Sequence, residues 1–464
     1  MKNYDLVVIG AGPGGTPAAQ QAAMMGKKVL LIDDRGEPGG ECLFDGCIPS
    51  KILEESADNF YLSNHMSIFD VEVDGTTKIN WANVVEKKDK IVSQRSLAAL
   101  KNLNKILTFK KGTAGFLSDK TILITSSDGS NETVSFEKAV IATGSSPFIP
   151  PIKGNGVKKL WTNKEMFDEE DLPESLLVIG GGPIGVEFAQ MLSKLGVKCT
   201  IVERFNRILG PVDEEFAERM QIKMKKENNI DIYVSTNVLE VNFTDDCFEV
   251  KCEKEGQIFT IDADRAIISV GRTATIQNLT LERAGVNFDN KGIAVNEFLQ
   301  TKKTNIYAIG DVIKGPKFAH VATYEAGIAV HNMFNSKKIA TDFNKVSWVL
   351  FSDPEIASAG FTLQEALNLG MDVIEGQYNY NEDARAQINE NDTGALKFVV
   401  DKKTHKIVGI QIMVEGASGI IGEAALIVSA KLTLEDVASA IHPHPTLTES
   451  FGILAKQMIF SLKK

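Results

Sequence analysis

Leu6-Val7-Val8-Ile9-Gly10-Ala11-Gly12-Pro13-Gly14-Gly15 is the stretch on which the architecture turns, and its layout occurs twice in the chain. An apolar run enters a Gly-x-Gly-x-x-Gly turn, a small-residue segment follows, and a second apolar run, Val29-Leu30-Leu31-Ile32-Asp33, closes on an acid. This is the βαβ layout that binds a dinucleotide. The first glycine permits the tight turn, the second lets a pyrophosphate approach the backbone, and the third lets the helix pack closely on the strand. The helix then offers free N–H groups and the positive end of its dipole to the phosphates. The closing acid accepts hydrogen bonds from the adenosine ribose. The second copy reads Leu176-Leu177-Val178-Ile179, then Gly180-Gly181-Gly182-Pro183-Ile184-Gly185, then Cys199-Thr200-Ile201-Val202-Glu203. In both, the acid stands 23 residues after the first glycine (10 to 33, 180 to 203). One such turn can be an ordinary glycine turn; two complete copies with matched spacing imply two dinucleotides and electron transfer between them.

At roughly 100–200 residues per domain, a chain of this length holds about three domains. Its 464 residues are 43 % hydrophobic and 24 % charged, with a net charge of −11, values of a globular protein with ample core. The acidic balance argues against nucleic acid as a partner. No apolar run approaches the ~18–20 residues that span a bilayer, so membrane insertion is not expected. Lys2 before the first apolar run could mimic a targeting segment, but Asp5 and the glycines from Gly10 onward favour a buried strand entering a turn. The expected location is therefore cytoplasmic. Residues 163–173, acidic and ending in proline, read as a linker into the second unit. From about Lys345 the character changes: Leu396-Lys397-Phe398-Val399-Val400 and Ile407-Val408-Gly409-Ile410-Gln411-Ile412 are strand-like, and residues 419–430 are helical. The expected fold is α/β, with two Rossmann-like dinucleotide-binding domains followed by an α+β domain without a nucleotide signature.

The cysteines are Cys42, Cys47, Cys199, Cys247 and Cys252. An odd, low count in a long chain is not a secreted disulfide scaffold, so a disulfide here suits catalysis better than structure. Gly39-Gly40-Glu41-Cys42-Leu43-Phe44-Asp45-Gly46-Cys47-Ile48-Pro49-Ser50-Lys51 follows the first fingerprint directly. Five residues of ideal helix rise about 7.5 Å, beyond the ~7 Å limit between bridged Cα atoms. A Cys42–Cys47 bridge therefore needs a distorted turn, which Gly46 permits, and a strained disulfide is a labile one. Cys247 and Cys252 share that spacing but sit in an alternating stretch, on opposite faces of a strand and roughly 16 Å apart; both are structural, and Cys199 is core. No second Cys/His pair completes a zinc site, and no metal is expected.

The segment around Cys42 and Cys47 resembles the active-site signature of the flavin disulfide reductases (class I pyridine nucleotide–disulfide oxidoreductases), the dihydrolipoamide dehydrogenases in particular. The resemblance spans essentially the whole chain. It continues through Ala142-Thr143-Gly144, Val270-Gly271-Arg272, Tyr307-Ala308-Ile309-Gly310-Asp311, Ala319-His320, Pro354-Glu355-Ile356-Ala357 and His442-Pro443-His444-Pro445-Thr446-Leu447-Thr448-Glu449. It implies a glutathione reductase-like fold: an FAD-binding domain in two parts, 1–148 and 271–343, an NAD-binding domain over 149–270, and a dimerisation domain over 344–464. FAD would be held by Gly10, Gly12, Pro13, Gly14, Gly15, Asp33, Gly40, Lys51, Ala114, Thr143, Gly144, Ser145, Gly310, Asp311, Lys317, Phe318, Ala319 and His320. NAD would be held by Gly180, Gly182, Pro183, Ile184, Gly185, Glu187, Glu203, Val238 and Gly271.

The resemblance also assigns roles. Cys47 lies beside the flavin in charge-transfer contact, and Cys42 exchanges with the substrate. His444, oriented by Glu449 and donated by the partner subunit of a homodimer, is the base; an imidazole suits this work near neutrality. Lys51 and Glu187 form an ion pair beside the flavin ring. Asp311 holds the ribityl or pyrophosphate region. Blander readings stand beside these: Glu449 forms a capping box with Thr446, Glu187 favours a helix N-terminus, Asp311 is a strand-end turn residue, and His442 is packing or surface. Glu203 favours NAD, since a carboxylate there bonds a free 2′-hydroxyl and repels a 2′-phosphate, although Arg204 and Arg207 could accommodate that phosphate.

The chain departs from the family at Glu41, where Thr is usual, at Phe44-Asp45, where Asn-Val is usual, at Thr273-Ala274-Thr275, where a Pro-Asn ending is usual, and at Pro443, where Ala is common. Two extra acids beside the thiols are expected to raise the thiol pKa values or alter substrate preference. The implied activity is dihydrolipoamide plus NAD to lipoamide plus NADH. The alternative is NAD(P)H-dependent reduction of another small or protein disulfide. A flavin redox sensor without turnover is disfavoured by the intact pair and base. Mercuric reductases carry a C-terminal cysteine pair, which Phe460-Ser461-Leu462-Lys463-Lys464 lacks. With no lipoyl domain expected in the chain, the dithiol would come from lipoyl-bearing proteins of 2-oxoacid dehydrogenase or glycine cleavage systems, or from free dihydrolipoamide.

Overall fold

The first apolar run becomes the central strand Lys2–Ile9 of a seven-stranded sheet in a computed structural model that describes residues 1–391 and 393–463; Lys464, in the tail quoted above, lies outside the described residues. It pairs in parallel with Val29–Asp33 on one side and Asn131–Ile141 on the other. Leu6, Val7 and Val8 are fully buried, as expected for a parallel strand covered on both faces. The chain returns to this sheet late, when Ile306–Ala308 adds in parallel beside Asn131–Ile141. Thr113–Ser118 and Thr121–Thr125 extend the sheet as antiparallel strands. Helix Gly15–Met24 lies against it through Ala18, Ala19 and Ala22, all fully buried.

The second copy builds a separate four-stranded parallel sheet in the order Asp231–Tyr233, Lys198–Val202, Ser175–Ile179, Arg265–Ile268. The third glycines do the same work in both copies. A Cβ on Gly15 would lie 1.8 Å from the Gly10 carbonyl oxygen, and one on Gly185 would lie 2.1 Å from that of Gly180. An antiparallel three-stranded sheet, Thr236–Thr244, Cys247–Lys254 and Gln257–Ala263, packs beside it through Val241, Phe248, Val250 and Cys252. Cys247 and Cys252 thus lie on a strand, and Cys199 is buried within Lys198–Val202.

The last layer is a five-stranded antiparallel sheet, ordered Ser347–Leu350, Ile356–Gly360, Ile407–Met413, Ala395–Asp401, Val373–Asn379. Helices Ala417–Ala430 and Glu449–Leu462 cover it. One expectation is corrected. Residues 163–173 are not simply a linker: Asn163–Asp168 is a helix opened by a Thr162/Glu165 capping box, with Asn163, Met166 and Phe167 buried. Its acids occupy exposed positions and masked the cap in the composition. Among the described residues, no helix is long and apolar enough to cross a membrane.

Candidate active site

The redox segment is seated on the first fingerprint loop. The Gly39 N–H donates to the Ala11 carbonyl at 2.8 Å. Gly40 has φ +57, and a Cβ there would meet the Gly12 Cα at 2.5 Å. Cys42 sits on the short helix Gly40–Phe44; the chain breaks at Asp45 and Gly46 and restarts as the helix Cys47–Ser63. Gly46 serves here through its size: a Cβ would lie 3.0 Å from the Glu41 carbonyl oxygen and 3.5 Å from the Cys42 Cα.

Both cysteines are free thiols. The hydrogen bond between them pulls the Cys47 thiol below its ordinary range, with help from the Lys51 charge and opposition from burial and Glu187. The same bond, reinforced by burial, pushes Cys42 up. Of the two, Cys47 is therefore the member on which negative charge is favoured. Lys51, one turn further along the helix, donates to Glu187 Oε2 at 3.0 Å and to Glu54 Oε2 at 2.5 Å, and its ammonium lies 4.0 Å from the centre of the Phe351 ring. Glu187 Oε1 accepts from the Phe351 N–H at 3.0 Å, so both its oxygens are used away from its own helix terminus. Sequence reasoning missed Glu54, which burial pushes up to about 7. Its three-residue spacing from Lys51 was the available signal.

The unusual acids are paired. Glu41 bonds Arg272, whose guanidinium also donates to Ser145 Oγ at 2.7 Å and to the Ser145 carbonyl at 2.8 Å. Asp45 bonds Arg35 at 2.5 Å, and Arg35 in turn lies 4.3 Å from the centre of the Phe44 ring. Asn163, from the unexpected helix, donates to the Asp45 carbonyl and, at 3.4 Å, to Glu41. The largest influences on the thiols are each other and burial, with Arg95, Lys51 and Glu187 contributing; the expected rise from Glu41 and Asp45 is not among them.

Around the rest of the first fingerprint, Asp33 accepts from the Ala11 N–H at 2.8 Å. Ser145 Oγ donates to Asp311 Oδ2 at 2.7 Å, and Lys317 donates to the Asp311 carbonyl at 2.6 Å. The Gly310 N–H donates to buried Glu325, another residue missed in the sequence, whose carboxyl burial pushes up to about 7. Thr143 donates to the Thr275 carbonyl at 2.6 Å, Gly144 accepts from the Thr275 N–H at 2.9 Å, and Ala114 is buried on its strand. Phe318 stands at the N-cap position of the helix Ala319–Phe334 and stacks on His320, whose Nε2 lies 2.7 Å from the Ser347 carbonyl.

On the second fingerprint, Glu203 occupies the place of Asp33 and accepts from the Gly181 N–H at 2.7 Å and the Phe205 N–H at 2.8 Å. Arg207 is committed to the carbonyls of Gly210 and Val212, at 2.8 and 3.2 Å, while Arg204 lies over Phe205. Pro183 and Ile184 are exposed, and Val238 is half-buried on its strand. A Cβ on Gly144, Gly182 or Gly271 would meet nothing within 4 Å. This open space beside the two glycine loops fits two dinucleotides.

His444 Nδ1 lies 3.0 and 3.1 Å from the two oxygens of Glu449, with its side chain 73 % exposed. The capping reading holds by half. Glu449 accepts from the Thr446 N–H at 3.0 Å, but Thr448 precedes the helix and gives no side-chain cap. His442 is largely buried and bonded to Glu423 at 2.8 Å. Ile441 beside it is 99 % exposed.

Fold, paired thiols and twin loops define a flavoprotein disulfide oxidoreductase. The pyridine nucleotide-disulphide oxidoreductase family model matches residues 4–326, and that family's dimerisation domain matches 346–455. The chain belongs to this family; it is an oxidoreductase that uses FAD and NAD and forms a homodimer. It is 36 % identical to a dihydrolipoyl dehydrogenase of Geobacillus stearothermophilus, over 96 % of this chain and 94 % of that one. It is 33 % identical to a mercuric reductase of Staphylococcus aureus, over 98 % of this chain and 82 % of that one. Among solved structures, the HOCl-induced flavoprotein disulfide reductase RclA from Escherichia coli in its Cu(II) complex superposes with a TM-score of 0.86 at 25 % identity, over 98 % of this chain and all of that one.

Proposed function

We propose that the chain oxidises dihydrolipoamide with NAD, Cys42 and Cys47 being the redox pair, and that lipoyl-bearing proteins of a 2-oxoacid dehydrogenase or glycine cleavage assembly in the cytoplasm supply the dithiol. The observation that carries this reading is the asymmetric cysteine pair, with negative charge favoured on Cys47 beside Lys51 and the protonated thiol favoured on Cys42. In the oxidised pair, a substrate thiolate attacks the Cys42 sulfur, and the Cys42–Cys47 bond breaks to leave the Cys47 thiolate. The second substrate thiol loses its proton to His444 of the other subunit and attacks the first substrate sulfur. The substrate closes as a disulfide, and Cys42 departs as a thiolate that takes the proton back. Glu449 holds His444 in the tautomer that leaves Nε2 free to accept. Bound FAD supplies the two-electron path from the cysteine pair to NAD. Lys51 and Glu187 place a fixed ion pair beside that path, and Glu203 selects the free 2′-hydroxyl. The residues assigned above to FAD and NAD, and the domain limits at 148, 270 and 343, belong to this proposal.

A second reading, reduction of another disulfide, is favoured by one observation: Cys42 is flanked by two Arg–carboxylate pairs, Glu41–Arg272 and Asp45–Arg35. NADH formation from dihydrolipoamide and NAD by the flavin-loaded protein, with NADP in parallel, decides between them. Fast NAD-linked turnover is expected, falling by at least about 10³-fold in Cys47→Ser. Negligible turnover, with dithionite still producing the thiolate–flavin band, would transfer the assignment to the second reading.

A further inference from the structure

Glu54 has no part in the mechanism above, yet it lies one ion pair away from its centre. Cys47 opens the helix, Lys51 follows one turn later, and Glu54 stands three residues beyond, on the same face. One ammonium thus serves two carboxylates, Glu54 at 2.5 Å and Glu187 at 3.0 Å, with side chains only 19 %, 22 % and 29 % exposed for Glu54, Glu187 and Lys51. Glu187 is anchored independently by the Phe351 N–H. The Glu54 carboxylate has Lys51 as its one hydrogen-bond partner among the described residues. The charged groups acting on Glu54 are Lys51 and Asp58 from its own helix and Glu187 from the helix Pro183–Lys194 packed against it. Asp58 is itself tied to Lys194 at 2.7 Å. With Glu54 ionised, the Lys51 cluster carries a net charge of about −1; with Glu54 protonated, it is neutral.

We propose that Glu54 is a positioning residue that shares the Lys51 ammonium with Glu187, so that its protonation governs how far Lys51 stabilises the Cys47 thiolate and hence how reducing electrons divide between the cysteine pair and the flavin. Lys51 acts to lower the Cys47 thiol and Glu187 to raise it, so the balance of this cluster is felt at the sulfur. Burial holds Glu54 near 7, which puts the change close to neutrality. The inference rests on the proposed function only in placing Cys47 on the flavin side; it makes no use of the dithiol's identity.

The test uses flavin-loaded protein reduced anaerobically by two electrons with dithionite, without any dithiol substrate. The long-wavelength thiolate–flavin band is recorded from pH 6 to pH 8 for wild type, Glu54→Gln and Glu54→Asp. In wild type the band weakens through a step near pH 7 as pH rises. In Glu54→Gln the step is absent, and at pH 8 the ratio of thiolate form to flavin-reduced form exceeds wild type by about 3- to 10-fold, the equivalent of roughly half to one pKa unit. Glu54→Asp keeps the charge and keeps a step. If Glu54→Gln does not load flavin, the alkylation rate of Cys47 by iodoacetamide in the reduced apo-protein is compared at pH 8 by mass spectrometry, and a faster variant supports the proposal. Bands or rates that coincide for wild type and Glu54→Gln over this range overturn it. Failure with dihydrolipoamide leaves this measurement intact, and failure here leaves the turnover result intact.

Discussion

The two dinucleotide fingerprints are built on one plan and end in different surroundings. Each has a third glycine pressed onto the carbonyl of its first, and each has an acid accepting from the first loop N–H, Asp33 from Ala11 and Glu203 from Gly181. The first loop is then roofed. Gly40 of the redox segment sits directly on Gly12, and the Gly39 N–H is tied to Ala11. The second loop has the matching tie, the Leu209 N–H donating to the Gly181 carbonyl at 2.8 Å, but it is open above its second glycine: among the described residues nothing lies within 4 Å of a Cβ on Gly182, and Pro183 and Ile184 are exposed. Equal local chemistry with unequal cover makes one site suited to a resident dinucleotide and the other to one that enters and leaves each cycle. Gly40 is what separates them: the redox segment lays it on Gly12, whereas the segment that ties to Gly181 through Leu209 leaves Gly182 uncovered among the described residues.

The strongest way to break this comparison is to add a methyl group to each loop region. Gly40→Ala places a Cβ 2.5 Å from backbone at a positive φ, costing on the order of 2–3 kcal/mol locally. The purified variant should retain little flavin, read from its visible absorbance, and show little turnover. Gly182→Ala meets no protein atom. It should retain flavin and melting temperature while raising the KM for NAD by roughly 10-fold, because the methyl group occupies the space a pyrophosphate needs. Equal flavin loss in both variants would remove the distinction between a roofed and an open loop.

A smaller effect sharpens the open side. Glu203→Gln keeps an oxygen for the Gly181 N–H but loses the charge that repels a 2′-phosphate. Since Arg207 is bound to backbone carbonyls, Arg204 is the nearby cation left to meet that phosphate. The kcat/KM ratio of NAD over NADP should fall by about 10-fold, roughly 1.4 kcal/mol of discrimination. An unchanged ratio would move cofactor selection away from this acid.

Much of this was readable in the residues because the signals are local. Glycine spacing and the closing acids gave both fingerprints, and the alternation of Cys247-Phe248-Glu249-Val250-Lys251-Cys252 placed these cysteines on a strand. The misses required partners distant in sequence or a cap hidden in acidic composition. Thr162 and Glu165 carry a capping signature, yet the surrounding acids read as a linker, so Asn163 beneath the redox segment went unnoticed. Glu41 and Asp45 read as free acids able to disturb the thiols. Their arginine partners stand 231 and 10 residues away, and no periodicity in the chain announces such pairs. Glu54 was visible beside Lys51, but the second carboxylate that makes it interesting comes from Glu187, 136 residues beyond Lys51.

The smallest predicted effect probes the bracing of the first site. Glu325 is 1 % exposed and accepts from the Gly310 N–H next to Asp311. Burial raises its carboxyl from an ordinary 4.5 to about 7, so between these values the folded chain holds a proton that the unfolded chain has released. Its contribution to stability is therefore full below about 4.5 and is lost as pH rises through 7. Glu325→Gln keeps an oxygen for Gly310 and cannot ionise. Relative to wild type it should gain on the order of 1–2 kcal/mol between pH 5 and pH 8, seen as a melting-temperature gap that widens by a few degrees in flavin-loaded protein. A gap independent of pH would mean that Glu325 is already ionised at low pH, with Gly310 N–H bonding strong enough to offset its burial.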